Sequence, residues 1–389
     1  MKWRIAVTAV ALLCASCCYY SPSVSVHAVP GPGREPMVRV RLSAGSPASI
    51  SSDRGMVLSA GSARQSVAAA AAVQVLFDHG IKAVQGARTV LQTGETLLVT
   101  TAADGRLLVG DRSYRGSLLL FKAADGGLAV VNALGLEEYL FGVVPCEIGP
   151  INNSTMEAVK AQAVAARSFT LTRLGRRQGL GHDLFDSYMR DQEYEGAGHE
   201  TELGRQAVLA TRGEVMMFRG EVVEALYHAN CGGVTNNGSQ PYLRSVPDTP
   251  GHRRGRKAFC ADKPNFTWQV RIGRDSLGAV VSRLGGRRIS VRGIRLEADR
   301  LSGRVRYLYV STDHGEVKLQ GEDFRAGLGL KSQNFKLTES GSSVVIDGRG
   351  YGHGVGMCQD GAVGMAVAGY RYKDILRQYY SGVSLKKRY

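Results

Sequence analysis

Glu147 is the residue around which chemistry can be arranged in this chain. It stands as a carboxylate between Cys146 and Ile148, in a segment read as a loop, with a helical pattern starting a few residues later. Asn153 or Ser154 can cap that helix, and Glu157 lies three residues past Ser154, the spacing of a capping box. Lys160, Val164 and Arg167 fall on one helical face, while Gln162 falls on another. Ala158, Ala161, Ala163, Ala165 and Ala166 let the helix pack closely. The positively polarised start of such a helix suits a carboxylate in the preceding loop. Two other stretches add polar groups, YHANCGGVTNN at Tyr227–Asn237 and GRGYGHGVGMCQDGAVGMA at Gly348–Ala366. Both mix glycine with His, Asn, Thr or Gln, the composition of rigid polar loops rather than of a core. A lone glutamate is ordinarily a solvated surface residue, so the reading rests on the three stretches together. A carboxyl whose pKa is raised by burial can give a proton to a leaving oxygen.

Taken in this order, the three stretches resemble the SpoIID/LytB family (stage II sporulation protein D). PYLRSVPDTP at Pro241–Pro250 and GYRYKDILRQYYSGVSL at Gly369–Leu385 resemble it too, so the resemblance runs from about Leu134 to Leu385. It implies a peptidoglycan lytic transglycosylase that cleaves the MurNAc-GlcNAc backbone, including strands stripped of stem peptides, and leaves 1,6-anhydromuramyl ends. Glu147 matches the catalytic glutamate. The sugar's own C6 hydroxyl closes the anhydro ring, so one carboxylate suffices where many glycosidases use a pair. The resemblance also implies an alternative from another class: a non-catalytic, LytB-like enhancer of an N-acetylmuramoyl-L-alanine amidase.

The expected substrate-binding residues follow from these stretches. Lys160, Gln162 and Arg167 offer donors from the helix, although Gln162's separate face also suits a structural role. His228, Asn230 and Thr235 offer hydrogen bonds, and Gly232 and Gly233 admit close backbone approach. Tyr351 offers a platform for a pyranose ring, and His353 and Gln359 complete the set. Glu137 and Glu138 read as surface or capping residues. No cofactor is required by the reaction. Some relatives hold zinc near the histidine-bearing motif, and here His228, Cys231, His252 and Cys260 would be the ligands. A Cys231–Cys260 disulfide is the competing expectation, and Cys146 and Cys358 are either a second disulfide or two thiols.

Composition bounds the class. The chain has 389 residues, with 44% hydrophobic and 7% aromatic content, as in folded proteins. Its net charge of +15 suits a polyanionic wall or an anionic surface. No Lys/Arg run interleaved with aromatics points to nucleic acid, and the basic cluster His252–Lys257 reads as a solvated loop. Lys2 and Arg4 flank the short apolar run Ile5–Leu13, the pattern of a signal peptide. Cleavage near His27–Ala28 and lipid attachment at Cys17 in a loose lipobox are both open. The expected location is the cell envelope or periplasm, with membrane attachment only through that lipid.

The resulting division is a leader over 1–27, a linker over 28–36, a β-rich region over 37–131 and a SpoIID/LytB-like catalytic region over 132–389. The expected fold class is α+β, with Gly-rich loops forming a polar cleft. In the β-rich region one helix is expected around Ala68–His79. The segment Gly181–Gly198, which contains DSYMRDQEYEG, is expected as a loop near the active site.

Overall fold

Alternating burial builds the N-terminal half as strands. Val38 and Val40 are buried while Arg39 and Arg41 are half-buried on the other face. The computed structural model describes residues 33–389 apart from 103, 287–289 and 314. The leader, with Cys14, Cys17 and Cys18, and residues 28–32 of the linker lie outside the described residues. Met37–Arg41 pairs antiparallel with Leu128–Gly135, Val38 facing Leu134. These two strands belong to a seven-stranded sheet that also takes in Ser117–Lys122, Leu97–Thr101, Met56–Ala60, Ala63–Val67 and the short Leu184–Phe185. A six-stranded sheet is built from Ala48–Ser52, Val73–Phe77, Ile81–Gln85, Arg88–Thr93, Leu107–Val109 and Arg112–Tyr114. Both sheets feed one core, with Ile50 and Val75 from one and Leu58, Leu97 and Leu120 from the other.

The helix expected at Ala68–His79 is instead a turn followed by the strand Val73–Phe77. Val73 and Val75 are buried and Gln74 is exposed, a period of two that overrides the helix propensity of the preceding alanines.

The strand Leu128–Gly135 runs directly into helix α1, Leu136–Glu147. This strand crosses position 131/132, and the same apolar core continues through it into α1. Ile148 leaves the helical conformation and Gly149–Pro150 follows, which ends α1. The next helix, α2 (Met156–Arg173), is entered through a short 3₁₀ turn. Asn152 caps that turn, with its side chain accepting from Ser154 and Thr155 N–H at 3.0 and 3.2 Å. Thr155 Oγ1 accepts from Asn152 N–H in return, at 3.0 Å. The capping box is therefore Asn152/Thr155 rather than one starting at Asn153 or Ser154. Glu157 is instead engaged by Lys160 and by the Tyr372 N–H.

Helix α2 is the centre of the second half. Ala158, Ala161, Ala163, Ala165 and Ala166 are all buried, because α1, α3 (Glu202–Ala210) and later helices pack around it. Strand Glu214–Phe218 lies against α2 and pairs with the C-terminal strand Ser384–Lys387. Two short strands follow, Glu221–Val222 and Tyr227–His228.

Residues 267–349 form an inserted unit between the two glycine-rich stretches. It comprises α4 (Arg274–Leu284), α5 (Gly321–Leu328) and two three-stranded sheets. Its core is separate, built from Leu277, Val281, Leu308, Phe324 and Ile346 among others. The chain then returns through Met357–Cys358 to α6 (Gln359–Val367) and α7 (Tyr372–Tyr379), both packed on α2. The architecture is mixed α+β, as expected.

Candidate active site

Glu147 is the last residue of α1 rather than part of a loop. The negative end of the helix dipole therefore lies beside it, which favours the protonated carboxyl. Its Oε1 accepts from the Glu193 backbone N–H at 2.9 Å and its Oε2 from the Gln359 amide at 3.3 Å. The Tyr227 hydroxyl also hydrogen-bonds to it. The carboxyl is pushed above its ordinary value: burial raises it most, the three donors oppose that, and the nearby Glu193 carboxylate adds to the rise. This is the shift a proton donor needs near neutral pH.

A polar network holds the donors. The Tyr227 hydroxyl accepts from Gln192 Nε2 at 2.8 Å, and Gln192 Oε1 accepts from Thr170 at 2.8 Å and Tyr139 at 3.2 Å. Burial pushes the Tyr227 phenol well above its ordinary value, so it stays a protonated donor. Glu193 and Glu195 share a side-chain hydrogen bond, and Glu193 is raised, mainly by burial. Glu193 lies in the Gly181–Gly198 segment expected near the site. Tyr227, Gln192 and Glu193 were not singled out from the sequence. Tyr227's place at the head of YHANCGG was the available signal.

The helix faces sort differently from the expectation. Gln162 is fully buried, and its Oε1 lies 3.5 Å from Gln359 Nε2, so it reaches the Glu147 side of α2. Lys160 instead forms an ion pair with Glu157, one turn earlier in α2, at 2.7 Å. Arg167 is 0% exposed and holds Glu137 through two bonds, at 2.8 and 2.7 Å. Glu137 is therefore a buried partner and not a surface residue. It sits ten residues before Glu147 in α1, roughly 15 Å by helical rise.

The two glycine-rich stretches are bonded to each other. Tyr227–His228 pairs in parallel with Met357–Cys358, and Asn230 exchanges both backbone bonds with Tyr351 at 3.1 and 2.8 Å. Gly232 has φ +74°, and a Cβ there would lie 2.8 Å from the Arg349 Cβ, so only glycine allows this approach. Gly233 also has positive φ. Asn230 is buried, donating to Asp360 at 2.8 Å and accepting from Gly232 N–H at 2.9 Å. Thr235 is buried and bonded to the Val246 N–H. Both act inside the loop framework in this structure.

His228 is buried, its Nδ1–H donating to the Val355 carbonyl at 3.1 Å. Burial, with Arg304 adding, lowers it to about 3, so it is neutral, and its Nε2 has no partner among the described residues. The His353 ring lies 5.6 Å from it, exposed, with Nε2–H donating to the Tyr227 carbonyl. Tyr351 is 41% exposed, with the Lys331 ammonium over its ring at 5.9 Å from the centroid. From the inserted unit, buried Arg304 donates to the Gly352 and Cys231 carbonyls at 3.1 and 3.4 Å and so ties the two stretches together. Burial lowers its guanidinium to about 10.

The cysteines converge unexpectedly. Cys231 and Cys260 have sulfurs 3.5 Å apart as free thiols. Cys358 joins them, and Asp248 is the fourth member, all four ligand atoms lying within 4.8 Å of one another. His228 and His252 are not in this group; His252 is exposed on a turn. Cys146 is elsewhere, hydrogen-bonded to the backbone of Glu195.

The model of the family described as Stage II sporulation protein matches residues 124–218, which carry α1, α2 and Glu193. An uncharacterized protein of Brachyspira hyodysenteriae is 32% identical over 292 residues, covering 74% of this chain and 76% of that protein. Stage II sporulation protein D of Bacillus amyloliquefaciens is 29% identical over 283 residues, covering 66% of this chain and 76% of that protein. The amidase enhancer of Bacillus subtilis is 28% identical over 292 residues, 63% of this chain but 40% of its own length. With Glu147, the following helix and both glycine-rich stretches in one constellation, the chain belongs to the SpoIID/LytB family.

Proposed function

We propose that this protein is an exported peptidoglycan lytic transglycosylase with Glu147 as its acid and base. The observation that carries the reading is the Glu147 carboxyl, raised by burial at a helix C-terminus yet held by three donors. Protonated, it gives its proton to the glycosidic oxygen. As carboxylate, it takes the proton of the muramic C6 hydroxyl, which closes the 1,6-anhydro ring on C1. No water enters, so no second carboxylate is required. Gln359 and Tyr227 position the carboxyl. The glycine-rich loops wall a polar cleft in which Tyr351 stacks on a sugar and His353 lies at the rim. The +15 charge favours the anionic wall.

Product analysis of purified, peptide-stripped glycan strands tests this. The expected products carry 1,6-anhydromuramyl ends. Reducing ends mean hydrolysis, with Glu193 as the second carboxylate. No cleavage, together with stimulation of an added N-acetylmuramoyl-L-alanine amidase, establishes the second reading, which the likeness to the amidase enhancer favours.

Tyr227→Phe tests the positioning role. Loss of a donor to the carboxylate raises the Glu147 pKa further. Because the starting acid must be protonated, the alkaline limb of the pH–rate profile moves to higher pH. An unmoved limb removes Tyr227 from the mechanism.

Among the described residues no helix is long and apolar enough to cross a membrane. Attachment would rest on Cys17, so Cys17→Ala should abolish lipid labelling while export persists. Labelling that survives the substitution, or is absent from the parent, removes the anchor.

A further inference from the structure

We infer that Cys231, Cys260, Cys358 and Asp248 form a closed structural site for one divalent zinc ion. The four ligand atoms lie within 4.8 Å of one another, and all four residues are buried. Tetrahedral zinc with Zn–S bonds of about 2.3 Å needs sulfurs about 3.8 Å apart, and Cys231 and Cys260 already stand at 3.5 Å.

Two independent features point to a cation. The first is a set of backbone N–H groups aimed at sulfur: Cys231 N–H and Gly361 N–H to Cys358 Sγ at 3.2 and 3.3 Å, and Gly233 N–H to Cys231 Sγ at 3.3 Å. Such donors stabilise thiolates, the form that binds metal. The second is Asp248. It is 0% exposed, and among the described residues it has no ion pair with Lys, Arg or His. Its oxygens accept from the Tyr379 hydroxyl at 2.6 Å and the Cys260 N–H at 3.1 Å, which fixes its orientation as a second shell does. A buried carboxylate with no basic partner is costly, and metal coordination is one of the few arrangements that offsets it.

Three thiols beside a carboxylate also leave one sulfur over if two are oxidised, whereas zinc uses all four groups. With four protein ligands the ion has no open position and is structural rather than catalytic. It fastens the first glycine-rich stretch, the Asp248–Cys260 loop and the start of α6. Cys358 immediately precedes Gln359, the residue that donates to Glu147. The ion therefore sets where that amide stands. This tetrad replaces the set His228, Cys231, His252 and Cys260 expected from the sequence.

The test is metal analysis of the native full chain purified without chelator, with a readout separate from glycan cleavage. About one zinc per chain is expected, falling towards none in Cys358→Ser and in Asp248→Ala, and unchanged in His252→Ala and Cys146→Ser. If a ligand variant does not fold, cobalt exchange into the parent decides instead: a thiolate-to-cobalt charge-transfer band is expected. A metal-free parent with a Cys231–Cys260 disulfide overturns the site. So do a cobalt spectrum lacking that band, zinc retained by folded Cys358→Ser, and zinc lost from His252→Ala.

Discussion

Glu147→Gln should cut glycan cleavage by about 10²–10⁴-fold, the usual contribution of a general acid–base group. The amide has nearly the same volume and still accepts the Glu193 N–H bond, but it cannot give or take a proton. Glycan binding should survive, since Tyr351 and the loop backbone are untouched. The stability consequence has a definite sign. The folded carboxyl lies above its ordinary value of 4.5, so folding favours the protonated form. That contribution is fully present below the unfolded value and is lost as pH rises through the folded one. At neutral pH the parent therefore carries a penalty that the amide lacks. The variant should unfold at a denaturant concentration no lower than the parent's at pH 7, with its advantage disappearing below about pH 4.5, where the parent carboxyl is neutral in both states. Full retained activity removes Glu147 as the acid and base. Amidase stimulation that survives the substitution, in a parent that cleaves nothing, assigns the enhancer role.

The sequence was most legible where one local pattern decides the structure. The alternation of apolar and basic residues over Val38–Arg41 marks a strand, and the cap near Asn153 followed by alanines from Ala158 to Ala166 marks α2. It misled where a helix has no preferred face. Ala161 through Thr170 of α2 are buried on every side, so a wheel that groups Lys160 with Arg167 says nothing about which side meets Glu147. Gln162, set apart by that wheel, is the residue next to Gln359. The end of α1 was hidden for another reason. Cys146 and Glu147 stay helical past Pro145, and proline ordinarily argues for a break. The sulfur cluster could not be read locally at all. Its members come from positions 231, 248, 260 and 358, and the pairing of Tyr227–His228 with Met357–Cys358 is what brings the outer two together. Asp248 has no motif around it that signals a ligand.

Arg167→Met should be the most destabilising substitution in α2, at about 3–5 kcal/mol, because it leaves a buried carboxylate without its counter-ion. All five guanidinium donors of Arg167 are used. Two go to Glu137, and the others to the carbonyls of Ala163, Val208 and Glu214, at 3.4, 3.3 and 3.1 Å. Glu137 Oε1 also accepts from the Gly213 N–H and the Tyr389 hydroxyl, at 3.2 and 2.7 Å. One residue pair thus joins α1, α2, the end of α3, strand Glu214–Phe218 and the C-terminus. Methionine fills most of the side-chain path but satisfies none of these groups. Glu137→Leu in the same chain should recover a large part of the loss, since an apolar pair of similar volume is often no less stable than a buried ion pair. Equilibrium denaturation of the two single variants and the double variant measures the coupling. A single-variant cost below about 1 kcal/mol, the range of an exposed pair, would show that water reaches Glu137. That result would also reopen Arg167 as a group able to meet substrate. A large cost with recovery in the double variant fixes its role as the clamp that sets α1, and with it Glu147, against α2.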